Sequence, residues 1–156
     1  MSFLSSADAE RIGQRAIQVA RKNNLAPMAV CVLNAAGQTL YFKMEDGNPL
    51  FREQIARGKA TGALGLGTDT ANMPKMFDAR PHFFQALFAS TQGNVIPVAG
   101  GIVVRDPKTG AVLGSVGMSG DVSEKDEWCC VEGVKSVGLQ CQALKENREA
   151  FLKAHL

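Results

Sequence analysis

Two pairs of β-rich runs most constrain what this chain can fold into. The runs at roughly 28–34 and 38–44 flank AAGQ, and those at 100–105 and 111–119 flank RDPKTGA. β-branched and apolar residues interrupted by a short glycine-bearing turn are the signature of a β-hairpin. The run at 28–34 is apolar almost throughout, which predicts a central strand covered on both faces. Two such hairpins predict an antiparallel sheet.

Helical patterns fill the spaces between them. SSADAERIGQRAIQVARKNN opens on serine and acids and closes on Arg21 and Lys22. That is the charge order a helix dipole favours, with Ser6 as N-cap. LFREQIARGKATGALGLG predicts a second helix rich in small residues. Each glycine in a helix interior costs about 1 kcal/mol of intrinsic propensity. Only a helix pressed closely against another backbone would tolerate three, at Gly58, Gly62 and Gly65. Pro81 predicts the first turn of a short helix running to about Ala89. Residues 123–156 predict one last helix, with Ser123 and Asp126 forming its cap and acidic first turn. The order is α-β-β-α-α-β-β-α, an α+β fold with helices packed on an antiparallel sheet.

Nothing divides the chain, so residues 1–156 read as a single domain. Hydrophobic residues make up 46%, enough for a sizeable core, and the net charge is only +2. So weak a field gives no reason to expect nucleic acid or an anionic membrane as partner. No segment approaches the roughly 20 apolar residues of a membrane span. The polar start lacks the features of a secretory signal, so a cytoplasmic location is expected. Cys31, Cys129, Cys130 and Cys141 include no C-x-x-C pair and are expected to be reduced, buried thiols.

Four segments in register carry a resemblance: VLNAAGQTLYFKMEDG, IARGKATGALGLG, IPVAGGIVVRD and VLGSVGMSGDVSEKDEWCCVEGV. Together they resemble the GlcG/HbpS-like family, also described as haem-degrading or haem-binding. The resemblance covers about residues 8 to 144. It implies a profilin-like antiparallel sheet, assembly into homo-oligomers, and a small ligand that in some members is haem.

Several residues are candidates for chemistry. Arg52 and Lys59 are seven apart and share a helix face. Lys59 either reaches solvent or turns into a pocket, where with Arg52 it would hold a carboxylate. Asp46 would position Arg52 or a ligand hydroxyl. Gly100 and Gly101 either make a tight bend or let a ligand approach backbone N–H groups. The expected pocket therefore lies between the second helix and the Gly100–Gly101 strand start. Nothing in the sequence forces a buried partner on Lys59, so Lys59→Met is expected to leave folding nearly intact.

His82, amid Phe83, Phe84 and Phe88, fits the description of a haem axial ligand, or else is an exposed imidazole at a helix start. Met73 and Met76 are soft-ligand candidates or packing residues. Asp121 and Glu124 suit a metal cation, or else belong to a self-capped helix start. Catalytic residues are not assigned. Three functions follow: a small-ligand or haem-binding protein, an enzyme or accessory protein acting on a small carboxylate in a catabolic pathway, or a ligand-free oligomeric assembly module.

Overall fold

The computed structural model describes residues 3–154. Helix α1 (Ser6–Lys22) leads into strands β1 (Ala29–Asn34) and β2 (Thr39–Met44), followed by α2 (Arg52–Leu66). A single 3-10 turn, Thr70–Asn72, precedes α3 (Met73–Ala79) and α4 (Pro81–Ser90). Strands β3 (Gly101–Arg105) and β4 (Val112–Ser119) form the second hairpin. Helices α5 (Ser123–Ser136), α6 (Gln142–Lys145) and α7 (Glu149–Ala154) complete the described chain.

The sheet has four antiparallel strands in the order β2-β1-β4-β3, so the two hairpins join through β1 and β4. The apolar first run is thus a central strand, as its composition implies. Alternation along β1 divides the interior. Val30 and Val32 join a core with Ile12, Ala16, Val131 and Val134 of α1 and α5. Ala29, Cys31 and Leu33 face Ala56 and Ala60 of α2 on the other side.

The glycines of α2 are only part of what lets it lie close to the sheet. Gly101 and Gly117 pair directly across β3 and β4. A Cβ on Gly117 would collide with the Ala56 carbonyl, and one on Gly101 with the Lys59 carbonyl. The helix backbone therefore rests on a patch of sheet without side chains. Gly58 and Gly62 leave room in turn for Ile96 and Val95.

Three local expectations are corrected. The cap of α1 is Ser5, not Ser6: its hydroxyl accepts the Asp8 N–H at 3.0 Å. Helix α5 starts at Ser123 after Val122, which makes no side-chain cap. The last helix is not continuous to 156. It ends at Ser136, and Gly138 takes a left-handed φ of 72°. The chain then exchanges two backbone hydrogen bonds between Gln140 and Arg105, at 2.8 and 2.9 Å. This bridge covers one end of the β3 edge, which a continuous helix would leave open.

Candidate ligand-binding site

The flat seating of α2 decides where Lys59 goes. Its side chain runs inward past Gly100, whose φ is 117°; a Cβ there would sit 2.7 Å from Lys59 Nζ. Lys59 is only 2% exposed. Its ammonium donates to the Met118 carbonyl at 3.0 Å and to Asp126 Oδ2 at 3.1 Å. Asp126 Oδ1 also accepts the Asp121 N–H at 3.0 Å. Burial pushes the Asp126 carboxyl up to about 6, although Lys59, that N–H and Arg52 all pull it down. Arg52 donates to Ser119 Oγ at 3.1 Å.

A carboxylate does meet Lys59 with Arg52 nearby, then, but it belongs to the chain itself. Gly101 is similarly committed. Its N–H donates to Thr70 Oγ1 at 2.8 Å, and the Thr70 hydroxyl donates back to the Gly101 carbonyl at 3.2 Å. Asp46 stays exposed in the turn after β2, and its neighbour Glu45 makes the contacts there. The expected pocket between α2 and the Gly100–Gly101 turn is filled by these internal bonds.

An open cleft lies beside it. Residue 127 is one step round the helix from residue 126, so Glu127 turns away from Lys59. A cleft of about 360 Å³ is lined by Val98, Ala99, Glu124, Glu127, Arg148 and Phe151, among others. Glu127 is 2% exposed, and its Oε1 has no hydrogen-bond partner. Arg148 Nη2 stands 3.7 Å from that oxygen and donates to Asp69 Oδ2 at 3.2 Å. The other Asp69 oxygen accepts the Val103 N–H at 3.0 Å. Burial raises Glu127 to about 7 and Asp69 to about 6, with Arg148 opposing both.

Asp69, Glu127 and Arg148 are not among the residues that the sequence singles out, and Asp126 is read there only as part of an acidic first turn, which it is. A signal for the two helix acids was present. Positions 126, 130 and 134, and positions 127 and 131, continue one apolar face through Cys130, Val131 and Val134. Acids that begin such a face point inward.

The candidate haem and metal ligands lie elsewhere. His82 is exposed at the start of α4, beside exposed Phe83 and above a cluster of Phe77, Phe84 and Phe88 rings. It does not line the cleft. Met73 is fully buried against Phe84 and Val95, with Met76 packed on the same cluster, so both serve packing. All four cysteines are buried free thiols, and burial pushes Cys129 and Cys141 up to about 12. Asp121 accepts the Ala26 N–H at 2.9 Å and the Val122 N–H at 2.8 Å, and pairs with Lys125. Glu124 reaches the cleft, but Asp121 does not line it. Among the described residues no group of three or more His, Cys, Asp or Glu is placed to hold a metal ion. Among the described residues of a single chain, no cysteine, histidine or tyrosine that could bind haem iron axially lines this cleft.

Comparison with known proteins ties this architecture to a family. No curated protein matches the sequence. Among solved structures, the PduOC:haem complex is 22% identical, with a TM-score of 0.78 over 88% of this chain and 97% of that one. HbpS is 24% identical, with a TM-score of 0.74 over 88% and 92%. The protein ORFY of Klebsiella pneumoniae is 21% identical, with a TM-score of 0.76 over the same shares. These likenesses show the fold. The family model for haem-degrading HbpS-like proteins matches residues 4–135, and the chain belongs to that HbpS-like family.

Proposed function

We propose that this chain is a small-ligand-binding protein whose ligand seats in the cleft beside Glu127. The observation that carries this reading is the buried Glu127 carboxyl, which lines an open cleft with one oxygen lacking a donor. Leaving a buried acceptor unsatisfied costs about 1–3 kcal/mol. A bound group that donates to it would offset that cost. Apolar walls with a few convergent polar groups are the ordinary character of small-molecule sites. The test is a thermal-shift screen of small molecules against the protein and a Val98→Arg variant, whose longer side chain would fill the cleft mouth. Stabilising compounds should lose their effect in the variant. Hits that stabilise both proteins equally would place binding elsewhere.

A second reading, haem, is favoured by the exposed His82 imidazole beside the exposed Phe83 ring, and by the haem complex of a protein with this fold. A porphyrin has two broad apolar faces, and a single chain would cover only one of them at α4. Haem bound here would therefore sit between two copies, so this reading includes a homo-oligomer. Exposed Leu50 and Phe51 add apolar surface suited to assembly. Titration with haemin, followed by absorption and light scattering together, should give a Soret shift in an oligomeric wild-type protein. His82→Ala should lose the shift. An unchanged spectrum in the variant would remove His82, and no shift in the wild type would remove haem.

Buried free thiols suit a reducing compartment, consistent with action in the cytoplasm. Among the described residues no helix is long and apolar enough to cross a membrane. A small carboxylate as ligand has less support, because Lys59 and the Gly101 N–H are engaged within the chain.

A further inference from the structure

We propose that the cleft at the start of α5 selects a small organic cation, an ammonium or guanidinium on an apolar body, and that Glu127 is the residue that selects it. The inference rests on the cleft being the ligand site.

The charges around the cleft are unbalanced. Glu124 and Glu127 line it, and Asp69 stands behind. Arg148 is the cation of the lining; its Nη2 donates to Asp69, and its Nε forms an ion pair with Glu146 Oε2 at 3.0 Å without a hydrogen bond. Lys59 acts on Glu127 only from a distance, with its ammonium bound to Asp126. Glu127 thus faces Arg148 from before α7, Asp69 from just before the 3-10 turn, Glu124 from its own helix and Lys59 from α2. An incoming carboxylate would meet two acids and a committed guanidinium. The start of α5 favours anions by its dipole, yet its first turn already carries Glu124 and Asp126. An incoming ammonium would supply the donor that Glu127 Oε1 lacks and favour its ionised form.

Exposed Val98 and Phe151, together with Pro74 and Ala99, provide apolar walls for the rest of such a ligand. Arg148, Phe151 and Leu152 all come from residues beyond the 4–135 matched by the family model. The acids that would select the cation thus lie within the matched segment, and part of the wall that would hold its apolar body comes from beyond it.

The probes are phenethylamine, phenethyl alcohol and phenylacetate, which share an aromatic body and differ in charge. Binding is followed at pH 8 by amide chemical shifts of Val98 and Phe151. Phenethylamine should bind at least about tenfold more tightly than phenylacetate, and its affinity should fall between pH 8 and pH 6. Glu127→Gln should abolish that preference, so that the amine and the acid bind about equally. Phenylacetate binding as tightly as the amine, or a preference surviving in Glu127→Gln, would overturn the proposal while leaving the cleft as a site. No response of these amides to any probe would overturn both. The pH series in the wild-type protein decides the matter even if the variant fails to fold.

Discussion

Lys59→Met should destabilise the protein by about 3–5 kcal/mol, the usual cost of removing one partner of a buried ion pair. Lys59 and Asp126 are 2% and 1% exposed, so the remaining carboxylate would have no access to water. Methionine keeps the aliphatic stem and loses both donated bonds, to Asp126 and to the Met118 carbonyl. Such a loss is a large part of the roughly 5–15 kcal/mol that holds a typical domain together. The expected result is a clear drop in the urea midpoint at pH 8. The drop should shrink at pH 5, where an unpaired Asp126 is protonated. Lys59→Met combined with Asp126→Asn should be more stable than Lys59→Met alone, because the buried charge is gone. Near-wild-type stability of the single variant would mean that Asp126 finds another cation, with Arg52 the one at hand.

Stability should fall as pH rises from about 4.5 to 7. Asp69 and Asp126 are raised by burial to about 6, and Glu127 to about 7. In that window the folded chain holds protons that the unfolded chain has released. Raising the pH therefore favours unfolding. Each such carboxyl contributes a slope of about 1.4 kcal/mol per pH unit while it lies between its two pKa values. Asp121 acts in the opposite sense: the Ala26 N–H holds its carboxyl below the ordinary value, so its contribution is lost only in stronger acid. Urea unfolding at pH 5 and pH 7.5 should thus give the higher midpoint at pH 5. Glu127→Gln should flatten the upper part of the curve. A flat profile, or one rising toward pH 7.5, would show that Arg148 and Lys59 keep these acids ionised throughout.

The sheet was legible because strand alternation and turn glycines are local signals. The four runs, their pairing into hairpins and the central place of β1 all follow from residues adjacent in sequence. The small residues of α2 also implied close backbone approach, which the Gly101–Gly117 pair provides. The site was harder to read because its pairs are remote in sequence. Lys59 meets Asp126, and Arg148 meets Asp69 and Glu127, across separations that no periodicity reports. Gly100 and Gly101 pointed to the right corner of the fold. Their purpose there is to make room for an ammonium and a helix backbone. The break at Gly138 was hidden for a related reason. Helical spacing continues through Val134, Gly138 and Cys141, while the competing backbone bonds come from Arg105 on a distant strand.

The joining of the hairpins through β1 and β4 has a consequence for how the chain is made. Ala29 pairs with Ser119 and Val32 with Val116, so the middle of the sheet waits for residues synthesised much later. The first hairpin is complete once residue 44 has left the ribosome, and β4 only once residue 119 has. At about 5–20 residues per second, the interval is about 4–15 seconds. Throughout it, β1 offers one unpaired edge. On a crowded polysome the nearest β4 would belong to the chain ahead, and pairing with it would exchange halves between neighbours. Whatever shelters β1 during those seconds, whether a chaperone or the spacing of ribosomes, protects the fold from that exchange.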